Sequence, residues 1–312
     1  MENLLTITDL SKETIEHIFE LSKKYEHPTN QLGGKNIVFA FEKPSLRTKI
    51  ATEVAINQLG GNVIHIEPHV FYGGKIFSTE NEKKLNAGRE ALKDTVKNMN
   101  EWCDALFTRV FSHETLLEIG GYSDLKIINA LCDQHHPMQA IADLYTIQEI
   151  YGNSRVSVAF IGDSNNVAFS LAEILLKFGH DVRIGSPDVY SFSKERMIYL
   201  SALAANNNTT ILFTSDPREA VVGANIIYAD TFVSMGEESI YDEKMKHFSK
   251  YQVNHELLEF SDKNWNFMHC LPAHRGVEVT DDIIDHKNSL VYRQAKNRMV
   301  TARGVFLTLF NF

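Results

Sequence analysis

Short apolar runs alternate with segments of helical periodicity along the whole chain. The segments 47–60 and 166–179, for example, place apolar residues at i, i+3, i+4 and i+7, which is typical of helices packed on one face. The runs are rich in β-branched residues and are typical of buried strands. This alternation predicts an α/β fold in which parallel sheets carry helices on both faces. The predicted strands are 36–41, 62–66, 104–109, 125–130, 155–162, 180–186, 209–214, 224–230 and 266–271.

Chain length and one helix predict two domains. At 312 residues the chain exceeds what one hydrophobic core usually serves. A helix predicted over 136–152 lies between the fourth and fifth strands and ends in a Tyr-Gly-Asn stop signal. We expect domains over 1–140 and 141–292, with a last helix, about 293–312, that can pack back on the first. Region 67–88 is too long for a usual strand-to-helix connection and predicts a functional loop.

The charge balance argues against nucleic acid and membranes as partners. Lys and Arg number 31 against 40 Asp and Glu, a net charge of -9, and no basic cluster compensates locally. Residues 1–26 predict an amphipathic helix, not a signal peptide, and no apolar run approaches the roughly 18 to 20 residues of a membrane span. Three cysteines without a CxxC pair indicate reduced thiols. We therefore expect a cytoplasmic protein.

The first strand is followed by a helix start that suits an anion. Pro44 fixes the turn, Ser45 stands where a helix cap would, and the free N–H groups of Leu46, Arg47 and Thr48 open the helix. The Arg47 guanidinium adds a bidentate fork that matches phosphate. The alternative is an ordinary capped helix with a solvated arginine.

Two more strand ends in the first half carry polar side chains. Arg109 ends a buried strand, which is costly unless an anion or an ion pair compensates it, and Ser112 is placed to cap the next helix. His136 and Gln139 flank another helix start with Pro137 at its first position. A neutral histidine at a helix N-terminus is a good donor to a carbonyl oxygen, because the helix dipole disfavours imidazolium.

The strand ends of the second half carry amide, carboxyl and thiol groups. Asn165 and Asn166 can present amides to a zwitterion, and Asp230 can meet an amine. Cys270 is open to three interpretations: a reactive thiolate, a thiol lining a polar pocket, or a buried cysteine. A dinucleotide site is a weak alternative because 161–166 lacks the G-x-G-x-x-G spacing. We expect no metal, since His269, Cys270 and His274 lack the spacing of a zinc site.

Taken in order, these residues resemble the carbamoyltransferase family. The family pattern is S-T-R-T after the first strand, a strand-end arginine, H-P-x-Q, an asparagine pair, D-x-x-x-S-M-G and H-C-L-P. The match spans nearly the whole chain, and S-M-G with H-C-L-P points to the ornithine branch over the aspartate branch. The counterparts here are SLRT (45–48), Arg109, HPMQ (136–139), NN (165–166), DTFVSMG (230–236), HCLP (269–272) and Arg298.

The resemblance implies transfer of the carbamoyl group of carbamoyl phosphate to the δ-amine of L-ornithine, in a cleft between two domains. It implies no metal and no organic cofactor, and a homotrimer or a higher assembly of trimers with active sites at subunit interfaces. It assigns catalysis to Arg47, Arg109, His136, Cys270 and Arg298. Carbamoyl phosphate binding is assigned to Ser45, Leu46, Arg47, Thr48, Arg109, His136, Gln139, Cys270, Leu271 and Arg298. Ornithine binding is assigned to Asn166, Asp230, Ser234 and Met235.

Three departures from the family pattern stand in the first half. Leu46 replaces the usual threonine, and Lys49 replaces the usual arginine. Region 67–88 lacks the glutamine by which a neighbouring subunit completes the site, and Lys83, Lys84 or Asn86 are the candidates to replace it. The alternatives in function are a carbamoyltransferase for another amine, such as putrescine or N-acylornithine, and a non-catalytic relative that binds ligands.

Overall fold

The computed structural model describes residues 1–72, 90–234 and 237–312. The chain divides into two compact units. Unit 1 comprises 1–138 together with 298–312, and unit 2 comprises 139–297. None of the helices in the described part of the chain is long and apolar enough to cross a membrane.

Unit 1 is built on a four-stranded parallel sheet in the order β2-β1-β3-β4. Its strands are β1 Asn36–Phe41, β2 Asn62–Ile66, β3 Ala105–Arg109 and β4 Lys126–Leu131. Its helices are α1 Lys12–Lys24, α2 Leu46–Gln58, α3 Pro68–Phe71, α4 Leu92–Asn100 and α5 His113–Tyr122. Helix α6, Pro137–Tyr151, begins in unit 1 and continues into unit 2.

Unit 2 is built on a five-stranded parallel sheet in the order β7-β6-β5-β8-β9. Its strands are β5 Ser157–Ile161, β6 Asp181–Gly185, β7 Ile211–Thr214, β8 Ile226–Ala229 and β9 Asn266–His269. Its helices are α7 Asn166–Lys177, α8 Lys194–Asn206, α9 Pro217–Val221, α10 Tyr241–Phe248, α11 His255–Leu258 and α12 Asp281–Ile284. Helix α13, Val291–Leu309, begins in unit 2 and ends in unit 1.

Strands buried on both faces hold each core together. In unit 1, all five residues of β3 are buried, and Leu106 belongs to an apolar cluster with Val38, Leu116 and Ile127. In unit 2, β8 is buried throughout and packs in a second cluster. A parallel sheet with helices on its faces needs apolar residues on both sides of each central strand, which explains the continuous apolar runs.

The elements predicted from periodicity are largely confirmed. All nine predicted strands are present, each with its ends within about two residues of the prediction, and the helices predicted near 47–60, 136–152 and 166–179 form. The prediction that region 67–88 is a loop throughout is wrong at the start of the region, because Pro68–Phe71 forms one helical turn with proline at the first position. The rest of that region, with Lys83, Lys84 and Asn86, lies outside the described residues.

Candidate active site

The strand order of unit 1 marks the position of a ligand site. From β1 the chain crosses to β2 on one side and then to β3 on the other, so the order reverses between β1 and β3. Phe41 and Arg109 end these two strands as register partners. Open α/β sheets bind ligands beyond the carboxyl ends of the strands at such a reversal. The residues after Phe41 and the side chain of Arg109 therefore lie where an anion is expected.

The segment after β1 begins helix α2 as predicted, with one difference. Ser45 occupies the N-cap position with extended backbone, but its hydroxyl makes no capping hydrogen bond, so the predicted cap is wrong in that respect. The hydroxyl is left for another acceptor or donor. Leu46 is 70% exposed, whereas Thr48, two residues later, is buried. Ser112 does cap α5, by accepting a hydrogen bond from the N–H of Glu114.

Three cationic or ionisable side chains converge in unit 1. Arg298 Nη2 donates to Thr48 Oγ1 over 3.0 Å, in a buried contact. Arg109 and His136 are 6% and 5% exposed. Burial, followed by the charges of Arg298 and Arg109, holds the pKa of His136 well below its usual 6.5. His136 is therefore a neutral imidazole beside two guanidinium groups, an arrangement that favours an anionic ligand carrying a carbonyl group.

Unit 2 has its own reversal, between β5 and β8. The last residues of these strands, Ile161 and Ala229, are register partners. Just beyond them, Asn165 Nδ2 donates to Asp230 Oδ2 over 2.9 Å. Asn165 Oδ1 accepts from the N–H groups of Val167 and Ala168 and so caps α7. Asn166 is the first residue of α7 and directly follows Asn165 in the chain.

Asp230 is the centre of a hydrogen-bonded cluster. It is 4% exposed, and its Oδ1 accepts from Cys270 Sγ over 2.9 Å and from the N–H of Thr231 over 2.8 Å. A buried carboxylate with three donors around it is held in one orientation. Cys270 is partly buried and donates to this carboxylate, which favours a thiol that lines a polar pocket over the other two interpretations.

The structure brings together three side chains that can ligate a metal. Donor atoms of Asp230, His269 and Cys270 lie within 4.8 Å of one another. Carboxylate, imidazole and thiolate are all zinc ligands. However, His269 Nδ1 accepts from the N–H of Leu271, and His269 Nε2 pairs with Glu278 Oε1 at 3.2 Å. Both imidazole nitrogens are engaged, so ligation by His269 would have to break one of these contacts.

The residues after β9 present backbone groups. Leu271 has φ 56°, a left-handed conformation that an L side chain adopts at a cost of about 1–2 kcal/mol. The Leu271–Pro272 bond is cis. Glu278 is fully buried, and its Oε1 also accepts from the N–H of His274 over 2.5 Å. Glu278 and His269 thus hold the backbone on both sides of Leu271 and Pro272 by hydrogen bonds to the N–H groups of Leu271 and His274.

Gln139 belongs to a buried network that the sequence did not reveal. Its Nε2 donates to Asp143 Oδ1 over 2.8 Å. Asp143 also accepts from Gln294 Nε2 and from the hydroxyl of Tyr228, over 2.8 and 2.9 Å. Gln294 Oε1 in turn accepts from the N–H of His269 over 2.9 Å. The spacing of four between Gln139 and Asp143 on a helix is the signal that could have indicated the first contact.

Ser234 lies in a half-buried turn after β8, and its N–H donates to Glu237 Oε2 over 2.9 Å. Met235, also predicted in the site, lies outside the described residues. The sequence analysis did not identify Asp143, Gln294 and Glu237, which hydrogen-bond to predicted site residues or to the network around them.

Comparison with known proteins matches both halves of the chain. Residues 2–149 match the carbamoyl-P binding domain of aspartate/ornithine carbamoyltransferases, and residues 154–309 match their Asp/Orn binding domain. The ornithine carbamoyltransferase of Bacillus subtilis (strain 168) is 40% identical over 96% of this chain and 90% of its own. The catabolic ornithine carbamoyltransferase of Thermoplasma volcanium is 36% identical over 99% of each.

A solved structure gives the same result. The anabolic ornithine carbamoyltransferase of Campylobacter jejuni superimposes with a TM-score of 0.89 at 32% identity, over 100% of this chain and 99% of that one. The family domains match both halves of the chain, and these relatives are more than 30% identical along nearly its full length. Both findings agree with the carbamoyltransferase pattern of the strand-end residues. This chain therefore belongs to the aspartate/ornithine carbamoyltransferase family.

Proposed function

We propose that this protein transfers the carbamoyl group of carbamoyl phosphate to the δ-amine of L-ornithine, giving L-citrulline and phosphate. The observation that carries the proposal is the buried cluster of Arg298, Thr48, Arg109 and His136 at the carboxyl end of the first sheet. The names of the full-length relatives support it. Under this proposal unit 1 binds mainly carbamoyl phosphate and unit 2 binds ornithine.

Carbamoyl phosphate needs donors at two positions. Attack by an amine builds negative charge first on the carbonyl oxygen and then on the departing phosphate. In our proposal Arg47, Arg109 and the N-terminal N–H groups of α2 hold the phosphate. Neutral His136 donates to the carbonyl oxygen, and Arg298 stabilises its developing charge. Donors fixed before the reaction lower the barrier because they need no reorganisation.

The remaining carbamoyl contacts come from unit 2. Gln139 is oriented by Asp143, and the Leu271 carbonyl can accept from the carbamoyl NH₂ group. Ser45, Leu46 and Thr48 complete the phosphate side with hydroxyl and backbone groups.

Ornithine presents an α-amino acid end and a reactive amine. Asp230, with Asn166, Ser234 and Met235, is assigned to the zwitterionic end. An unperturbed amine of this type has a pKa near 10.4, so binding must favour its neutral form for attack. The Cys270 thiol, held by Asp230 at 2.9 Å, is placed to orient that amine. The chemistry needs no metal or organic cofactor, since arginines and a neutral imidazole supply the electrophilic assistance.

A colorimetric citrulline assay with purified protein tests the proposal. We expect product with carbamoyl phosphate and ornithine at saturation, unchanged by a metal chelator. A panel containing putrescine and N-acetylornithine tests the competing amines, and the highest kcat/KM identifies the acceptor. Calorimetric binding of carbamoyl phosphate with no turnover on any amine would instead indicate a non-catalytic relative.

We also propose an oligomeric state for this protein. Exposed Leu46, Ile50 and Val54 form an apolar stripe along α2, which supports a homotrimer or a higher assembly of trimers.

All three cysteines are free, which supports a cytoplasmic location. We assign the reaction to arginine metabolism, and measured rates of citrulline formation and of the reverse phosphorolysis distinguish the biosynthetic from the catabolic direction.

A further inference from the structure

Unit 2 contains a buried cation that the proposed chemistry does not use. The Lys244 side chain, on α10, is 1% exposed. Its Nζ lies 2.6 Å from Asp163 Oδ2 and 2.5 Å from Glu237 Oε2. Burying an ammonium is costly unless it is paired and hydrogen-bonded, and removal of its charge leaves the partner carboxylates uncompensated. The two carboxylates belong to different segments, and Lys244 joins them.

The first segment leads to the amide pair at the sheet reversal. Asp163 begins the turn after β5, and its carbonyl accepts from the N–H of Asn165 over 2.7 Å. Asn165 in turn donates to Asp230 over 2.9 Å. Lys244 is therefore linked through Asp163 and Asn165 to Asp230, one of the proposed ornithine-binding residues.

The second segment leads to the turn after β8. Glu237 Oε2, which receives the Lys244 ammonium, also accepts from the N–H of Ser234 over 2.9 Å. Ser234 is one of the proposed ornithine-binding residues. One lysine is thus linked to both the Asn165 turn and the Ser234 turn.

The surroundings strengthen the ion pairs. Lys244 Nζ lies 5.0 Å from the centre of the Tyr190 ring, a cation–π distance, and the Tyr190 carbonyl accepts from the N–H of Ser164. Burial raises the pKa of Asp163 to about 6 in spite of the lysine. Burial works to lower the pKa of Lys244, but Asp163 and Glu237 outweigh it and the pKa is raised. The ammonium therefore stays charged throughout the neutral pH range.

We propose that Lys244 is a positioning residue for the amino acid substrate, holding the Asn165 and Ser234 turns in their binding geometry through Asp163 and Glu237. The inference rests on the proposed function for the identity of the substrate. It assigns Lys244 no contact with the reacting atoms. Its effect is on the affinity for ornithine, not on the affinity for carbamoyl phosphate.

Kinetics of Lys244→Met, Lys244→Arg and the control Lys246→Met test the proposal. Lys246 is exposed on the same helix, so its replacement removes one positive charge without touching the two turns. We expect Lys244→Met to raise KM for ornithine by roughly tenfold, because Asp163 and Glu237 lose their shared partner and binding must then order the two turns. KM for carbamoyl phosphate should stay within about twofold. Lys244→Arg should recover part of the loss, and Lys246→Met should behave as wild type.

Amide hydrogen exchange without substrate gives a second readout. We expect faster amide exchange at Ser234 and Asn165 in Lys244→Met than in the wild type. This result does not depend on whether the citrulline assay detects product, so failure of the proposed function can be distinguished from failure of this inference. A lower melting temperature with unchanged ornithine KM and unchanged exchange would overturn the inference. If Lys244→Met does not fold, Glu237→Gln decides: it should speed exchange at Ser234, and unchanged exchange would overturn the inference equally.

Discussion

Arg298 and Thr48 are 250 residues apart in the chain, and the guanidinium Nη2 of one donates to the hydroxyl of the other over 3.0 Å. Both groups are buried, and both belong to unit 1 because the last helix ends there. The contact fixes a cation beside the helix start that follows β1. The carbamoyl phosphate site that we propose depends on a residue from each end of the sequence.

Removing the Thr48 hydroxyl should weaken that site. Thr48→Val keeps the shape of the side chain but leaves Arg298 without this acceptor, at a cost of about 1.5–3 kcal/mol for a hydrogen bond to a charged group. We expect KM for carbamoyl phosphate to rise by roughly tenfold or more. Thr48→Ser retains the hydroxyl and serves as the control. Equal KM values for the two variants would show that the contact does not position Arg298.

Arg47 and His136 should be required for turnover but not for folding. Each supplies a donor to developing negative charge in the proposed mechanism, and loss of one such donor costs about 10²–10³-fold in kcat. We expect losses of this size for Arg47→Ala and His136→Ala, measured by citrulline formation. Circular dichroism should show folded protein in both cases. Wild-type rates in both variants would refute the assigned roles.

The depressed pKa of His136 predicts a pH dependence of stability. Because burial and the neighbouring arginines hold the folded-state pKa well below 6.5, the unfolded chain takes up a proton that the folded chain refuses as pH falls below 6.5. Stability is therefore lost in that range, with a limiting slope of about 1.4 kcal/mol per pH unit. Urea unfolding between pH 7 and 5.5 should show a smaller loss for His136→Gln than for wild type. Parallel losses would contradict a neutral His136.

Leu46 offers a gain-of-affinity test. Its side chain is 70% exposed at the first position of α2, so within one chain a threonine requires no repacking, and the proposed subunit contact keeps Ile50 and Val54. Leu46→Thr keeps the backbone N–H and adds a hydroxyl, and one further hydrogen bond is worth about 0.5–1.5 kcal/mol. We expect calorimetry to show a two- to tenfold lower dissociation constant for carbamoyl phosphate. An unchanged constant would show that the missing hydroxyl has no role.

We expect the apolar stripe of Leu46, Ile50 and Val54 on α2 to form a contact between subunits. Ile50 is 52% exposed, and Ile50→Glu would place a charge in the apolar interface that we propose. Light scattering should give about three times 35.4 kDa for the wild type and a smaller mass for this variant. Ile198→Glu is the matched control, since Ile198 is 70% exposed on α8 of unit 2. A wild-type mass that equals one chain would contradict the trimer.

Local chemistry explains why the strand-end residues could be found from the sequence. Apolar runs locate strands, and in parallel sheets the functional residues follow their carboxyl ends, so Ser45, Arg109, Asn166 and Asp230 stood out. Helix starts with Pro137 or Ser112 were recognisable because capping depends on neighbours within four residues. Ser45 shows the limit of that argument, because it takes the cap position without making the capping bond.

Pairings between distant segments needed the tertiary structure. In the sequence, Lys244 is one more charged residue of an amphipathic helix. Only the folded chain, with β8 beside β5, brings its Nζ within 2.6 Å of Asp163 Oδ2, 81 residues away. Arg298 likewise meets Thr48 only after the last helix has returned to unit 1. Periodicity and capping depend on neighbouring residues, so the elements and the polar residues at their ends could be predicted from the amino-acid sequence. Which of those residues contact one another depends on strand order and on the burial of charge, and these are properties of the whole folded chain.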